Sequence, residues 1–318
     1  MDKSQKLYVG IDLGGTSVKV GLCDRLGKLL AVYEGPTEAE KRAEGVLQNI
    51  ELYVRELVGR EGCDWEQIAG IGAGIPGFLD METGVVKASP NLGWKDVPVK
   101  AILEERLGKE VRIDNDANVA ALGEVWSGAA AGIPNAVCYT LGTGVGGGII
   151  IKNVLCQGYS GMGGEIGHLG VVPAEEAITC GCGQKGCLET VSSATGIIYM
   201  AKEAVIRGEQ TSLAHIRELT AKDVLDAAKA GDQVAARIVD RAADYLGKSM
   251  ALLSVVVNPQ RFVIGGGVAK AGSFLLDQID HHFRKYALEN AKTNVDIVPA
   301  ILGNNAGVVG AAGLHVFG

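Results

Sequence analysis

Apolar positions along the chain come in short runs broken by glycine. "LYVGIDLGGTSVKVGL" is a β-rich run, a Gly-Gly turn and a second β-rich run, which predicts a hairpin turning at Gly14 and Gly15. About 130 residues later "AVCYTLGTGVGGGIII" repeats the plan: an apolar strand, a turn of glycine and threonine, another apolar strand. Two such hairpins predict a duplicated α/β unit, each turn directed into a cleft between the halves. Between them, "IAGIGAGIPGFLD" reads as a buried strand ending in a Gly/Pro loop, and "VRIDNDANVAALGEVW" as a short strand running into a helix. Asn115 and Asp116 fall at that strand-to-helix junction, where free backbone N–H groups receive ligands in α/β folds.

Further on, Val234, Ile238, Ala242, Leu246, Leu252 and Leu253 keep helical spacing and predict a long amphipathic helix, stopped by Asn258-Pro259. "RFVIGGGV" then reads as a last strand with a glycine loop. No low-complexity linker separates the halves, so the expectation is a hinge crossed more than once.

Composition narrows the function. With 318 residues, 47% of them hydrophobic, the chain can build two cores. A net charge of -7 leaves no basic stripe to neutralise phosphates, which argues against a nucleic-acid partner and for small molecules. The absence of a leader-like start and of any run of about 18 apolar residues predicts a cytoplasmic protein with no membrane partner. Seven cysteines in such a chain do not suggest a disulfide framework.

The glycine loops suggest phosphate binding. Gly14 and Gly15 lack the Cβ atoms that would keep a polyanion from the backbone N–H groups, Thr16 adds a hydroxyl and Lys19 a charge. Gly142, Thr143 and Gly144 form the second half of the cradle, and Gly265, Gly266 and Gly267 give room for a nucleoside. Asp12 beside a phosphate loop makes sense facing a metal-bound water, which implies Mg²⁺ carried by the nucleotide. No G-x-x-x-x-G-K-[ST] loop is present.

One histidine and three cysteines crowd into "GEIGHLGVVPAEEAITCGCGQKGCLET". His168, Cys180, Cys182 and Cys187 read as H-x11-C-x-C-x4-C, four ligands that suit tetrahedral Zn²⁺, with glycines at 181, 183 and 186 to wrap the ion. Four protein ligands leave no open position, so the role expected is structural. If one imidazole nitrogen binds zinc, the other is left to meet a polar group of a ligand.

"IDLGGTSVKVGL", "GIGAGIPGFLD", "NLGW", "DNDANVAALGE", "TLGTGVGGGII", "GGEIGH" and "CGCGQKGCLE", in this order over nearly the whole chain, resemble the ROK family of sugar kinases and repressors, and as a set are similar to its bacterial glucokinases. The resemblance implies the actin/hexokinase/Hsp70-like ATPase fold, a ribonuclease H-like unit duplicated into two α/β domains around ATP and a sugar. The expected division is residues 1–116 plus 303–318 and residues 117–302, with "NNAGVVGAAGLHVF" returning as a helix to the first domain. Glu165, His168 and Glu189 are then expected to face the hydroxyls at the reducing end of the sugar. Asn115, Gly77 and Asn91 would complete the pocket, and zinc would take the four ligands already named.

Asp116 is the candidate base for the attacking O6 hydroxyl, an assignment that the family pattern shares. Its competing role is as N-cap of the following helix, which Asn115 or Asn118 could fill instead. Trp94 in "NLGW" is expected in packing rather than as a sugar-stacking platform. The implied activity is ATP-dependent phosphorylation of glucose at O6. A ROK kinase for mannose, fructose, allose or an N-acetylated hexosamine is the alternative. A repressor is disfavoured because only 11 residues precede Asp12. The acidic balance offers no basic track for polyphosphate and so favours ATP. The resemblance further implies a homodimer or a dimer of dimers.

Overall fold

A computed structural model describes residues 5–317. The chain divides into two compact units. Among the described residues, the first holds everything up to Pro134, the stretch Gly148–Gly164 and the chain from Ile301 onward; the second holds Asn135–Gly147 and Glu165–Ala300.

The first unit opens with β1 (Leu7–Leu13), β2 (Ser17–Asp24) and β3 (Leu29–Pro36). Helix α1 (Arg42–Arg60) and β4 (Ile68–Ile75) follow. A small sheet of β5 (Phe78–Asp80), β6 (Val85–Ser89) and β7 (Trp94–Val97) precedes α2 (Val99–Leu107), β8 (Val111–Asn115) and α3 (Asp116–Trp126). The main sheet has the order β3-β2-β1-β4-β8. Its hairpin strands are antiparallel, while β1, β4 and β8 run parallel.

Strand alternation explains the layering. Val9 and Ile11 of β1 join the core shared with Val46, Leu47 and Ile50 of α1, whose apolar residues recur at helical spacing. The intervening Gly10 lies against the main chain of Val308 in the last helix.

The second sheet contains β9 (Ala136–Leu141), β10 (Val145–Ile151), β11 (Val154–Leu155), β12 (Arg261–Gly265) and β13 (Asp296–Pro299). Its order, β11-β10-β9-β12-β13, repeats that of the first sheet: a three-strand meander extended by strands parallel to its first member. The fold is therefore a duplicated α/β fold. The second unit's helices are α4 (Glu189–Ser192), α5 (Ala194–Ile206), α6 (Ala221–Lys229), α7 (Gln233–Val256), α8 (Ser273–Tyr286) and α9 (Glu289–Lys292). Tyr139, Phe262 and Phe283 pack through its core with tilted and edge-to-face rings, and the Tyr139 hydroxyl lies 3.0 Å from Ser249 Oγ on α7. The last helix, α10 (Ala306–Phe317), packs in the first unit, Val308 and Val309 beside Cys23 and Ala311 beside Val119 and Leu122 of α3.

Two expectations change, and one sheet went unread. "RFVIGGGV" is β12 and not the last strand, because Asp296–Pro299 adds a parallel neighbour beyond it. Leu252 keeps helical spacing in α7 yet is 48% exposed. The β5-β6-β7 sheet has strands too short to be legible as alternation. No described helix is long and apolar enough to cross a membrane.

Candidate active site and metal centre

In the first unit the N-cap question is resolved by geometry. Asn115 ends β8 in extended conformation, and its side-chain oxygen accepts the N–H groups of Ala117 at 2.8 Å and Asn118 at 3.4 Å. Its amide donates to the Gly77 carbonyl at 3.3 Å, tying the loop after β4 to the start of α3. Asp116 is thereby relieved of the cap and stands as the first residue of the helix, its Oδ1 accepting from Ala117 N–H at 3.0 Å. Burial raises its pKa, against the lowering effect of that hydrogen bond.

Asp12, near the end of β1, is pushed up to about 6, first by burial and then by the charge of Asp116; Lys19 opposes and Glu34 reinforces the shift. A Cβ on Gly307 would come within 2.5 Å of Asp12 Oδ2, so glycine at the start of α10 leaves space for this carboxylate. The first glycine turn closes through Gly14 N–H to the Ser17 carbonyl at 2.9 Å. Gly15 and Thr16 are exposed, and Gly15 sits beside the exposed Asn91. Lys19 donates to the Asn304 carbonyl at 2.7 Å and pairs with Glu34 at 3.9 Å.

Sequence reasoning missed Asp114. It is fully buried and accepts from Asn115 N–H at 2.7 Å, Asn118 Nδ2 at 2.9 Å and Gln157 Nε2 at 2.5 Å. Burial raises its pKa against those three bonds. An acid directly after the apolar Ile113 and before Asn115, still inside the strand, was the available signal, because a carboxylate buried in a parallel strand needs hydrogen-bond donors. Trp94 is buried in the first core, as its packing role required.

In the second unit the nitrogen and sulfur ligand atoms of His168, Cys180, Cys182 and Cys187 all lie within 4.8 Å of one another. His168 Nδ1 is 3.7 Å from Cys180 Sγ, and Cys182 Sγ is 3.7 Å from Cys187 Sγ. Tetrahedral zinc with ligand bonds of about 2.3 Å sets its sulfurs about 3.8 Å apart, so the donor set and its spacing suit that ion. Backbone bonds hold the loop: Cys180 N–H donates to the Gln184 carbonyl at 2.7 Å, and Cys187 bridges Gly170. With Nδ1 turned to the sulfurs, His168 Nε2 lies 3.8 Å from Glu165 Oε2.

The second glycine turn belongs to the same unit. Gly142 N–H donates to the Gly144 carbonyl at 3.0 Å, and Thr143 at its tip is exposed. Gly265 ends β12, and the exposed Gly266 and Gly267 follow it, Gly266 lying against the main chain of Leu141 just before the turn. Glu189 opens α4, and its Oε2 accepts Val145 N–H at 3.0 Å. The structure thus gathers the predicted residues of each unit: Asp12, Gly14, Gly15, Asn91, Gly77, Asn115 and Asp116 in the first, the metal loop and both later glycine loops in the second.

Comparison with known proteins gives a consistent picture. Residues 8–316 match the model of the ROK family. The chain is 44% identical to a glucokinase of Halalkalibacterium halodurans, over 98% of this chain and 95% of that one. It is 36% identical to a glucokinase of Thermotoga maritima, over 96% of each. A crystal structure of a ROK family glucokinase from Streptomyces griseus in complex with glucose and AMPPNP superposes with a TM-score of 0.78 at 35% identity, over 97% of this chain and 98% of that one.

Proposed function

Because the chain belongs to the ROK family, we infer that it is an ATP-dependent glucokinase, a phosphotransferase that moves the γ-phosphoryl group of ATP to the 6-hydroxyl of glucose. The observation that carries this is the likeness to glucokinases over nearly the entire chain. Glucose 6-phosphate and ADP are the products.

Asp116 serves as base. The glucose O6 attacks the γ-phosphorus in line, the bond to the β,γ-bridging oxygen breaks, and the O6 proton passes late to the Asp116 carboxylate. A pKa raised by burial makes that carboxylate a better proton acceptor. Asn115, Asn91 and Gly77 contact the sugar, with Asn115 held to both Gly77 and the helix start. Glu165, His168 and Glu189 grip hydroxyls at its reducing end. Gly14, Gly15, Thr16 and Lys19, with Gly142, Thr143 and Gly144, receive the phosphates, and Gly265, Gly266 and Gly267 the nucleoside. Mg²⁺ carried by ATP would neutralise charge on the phosphates, and Asp12 would be the carboxylate of this chain that serves it. His168, Cys180, Cys182 and Cys187 would hold zinc in a structural role, which would fix the imidazole that meets the sugar. We place the protein in the cytoplasm as a homodimer or dimer of dimers.

Phosphorus NMR of a reaction with ATP, Mg²⁺ and glucose tests this reading. A phosphomonoester on C6 is expected; absence of sugar ester, or an ester at another carbon, would overturn it.

A further inference from the structure

The segment that follows the last metal ligand touches the second glycine turn twice. Glu189, two residues after Cys187, accepts Val145 N–H through Oε2 at 3.0 Å, at the residue where the turn re-enters β10. Ala194, at the start of α5, donates its N–H to the Gly142 carbonyl at 2.8 Å, where the turn leaves β9. Between these two contacts the chain has little freedom: Thr190 N–H and Oγ1 both donate to the Cys187 carbonyl, at 3.0 and 2.7 Å, and Ser193 Oγ caps α5 through Gly196 N–H at 2.9 Å. At its other end the Glu189 carboxylate meets the metal cluster, Oε1 lying 3.4 Å from Cys180 Sγ. Gly144 completes the fit, since a Cβ there would stand 2.3 Å from Glu189 Oε2.

We propose that Glu189 is a positioning residue for the nucleotide as well as a sugar contact: its carboxylate, carried on the short segment fixed between Cys187 and Ala194, holds the Gly142–Gly144 turn in the form that receives phosphate. This rests on the reading of that turn as a phosphate loop. It adds that the segment leaving the metal loop preorganises nucleotide binding when no sugar is present. A hydrogen bond from a backbone N–H to a charged acceptor is among the stronger single contacts a loop can have, and losing it leaves the turn free to sample other conformations. Ordering the turn would then oppose nucleotide binding in place of being built into the fold.

Calorimetric titration of AMPPNP and Mg²⁺ into the full-length protein without sugar reads this directly. Glu189→Ala should weaken nucleotide binding about tenfold, whereas Glu189→Gln, whose amide oxygen accepts the same N–H, should stay within about twofold. Both should lose glucose affinity. Gly144→Ala should also weaken the nucleotide, and the double variant Gly144→Ala/Glu189→Ala should be no weaker than Glu189→Ala alone, because the added methyl acts by displacing the carboxylate. Zinc content and melting temperature confirm that each variant is folded and loaded; if Glu189→Ala loses its metal, Gly144→Ala and Glu189→Gln decide the matter. Nucleotide affinity unchanged in both Glu189→Ala and Gly144→Ala, or full additivity in the double variant, would overturn the proposal. Failure of the parent protein to bind the nucleotide would instead overturn the kinase reading.

Discussion

The carboxylate of Asp12 is pushed up to a pKa of about 6, first by burial and then by the charge of Asp116. These two acids, one closing β1 and the other opening α3, divide the chemistry proposed for the first unit. Burial raises both, and Asp12 is raised in addition by the charge of Asp116.

The sign of the Asp12 shift fixes a pH dependence. Its folded-state pKa lies above the ordinary 3.8, so the folded chain holds an extra proton between about pH 4 and 6 and loses stability as pH rises through that window. Asp12→Asn should therefore raise the melting temperature at pH 7.5, by the equivalent of about 1–3 kcal/mol, and have little effect at pH 4. The same variant should bind Mg²⁺-nucleotide more weakly. In the parent, kcat/KM for ATP should fall as pH drops through about 6. A melting temperature for Asp12→Asn below the parent's at pH 7.5 would contradict the assigned cause.

Asp116→Ala should lower turnover at least about a hundredfold while leaving nucleotide binding nearly intact. Asn115 carries the cap, so the helix should survive the change and the melting temperature should move little. Turnover within a few-fold of the parent would remove Asp116 from the role of base.

Elemental analysis should find one zinc per chain, and Cys182→Ser should lose zinc and glucose affinity together. Because His168 Nε2 lies on the side of Glu165, away from the sulfurs, loss of the ion should free the imidazole and affect the sugar more than ATP hydrolysis in its absence. Zinc retained by Cys182→Ser would argue against the ligand set.

Glu124 of α3 offers a test of the fold alone. Nearly fully buried, it accepts the N–H groups of Ala129 at 2.7 Å, Ile301 at 3.3 Å and Leu302 at 2.9 Å, pinning the chain just before α10. Glu124→Ala takes the acceptor from three backbone donors, those of Ala129 and Leu302 half-buried, and should destabilise the protein by about 2 kcal/mol in chemical denaturation. A loss under about 1 kcal/mol would mean that water replaces the carboxylate easily.

What the sequence made legible follows from the range of the interactions involved. Both hairpins and the β8-to-α3 junction are local, written in Gly-Gly, Gly-Thr and Asn-Asp chemistry, and the structure shows them there. The metal loop was legible because its ligands are rare residues at a fixed spacing. Strand β13 was not, since "DIVP" is four residues at a sheet edge with two of them exposed, and its partner Arg261–Gly265 lies over 30 residues away. Asp114 and Glu124 were missed for a related reason: the backbone and amide donors that make a buried carboxylate tolerable come from residues as distant as Gln157 and Leu302. The link from Glu189 to Val145 likewise spans 44 positions and has no local signature.

The most direct measurement is ADP release, followed in a coupled assay across glucose, mannose, fructose and N-acetylated hexosamines, with ATP, other nucleotides and polyphosphate as donors. The highest kcat/KM should belong to glucose with ATP. Preference for an N-acetylated sugar, or no sugar-dependent ADP at all, would contradict the account.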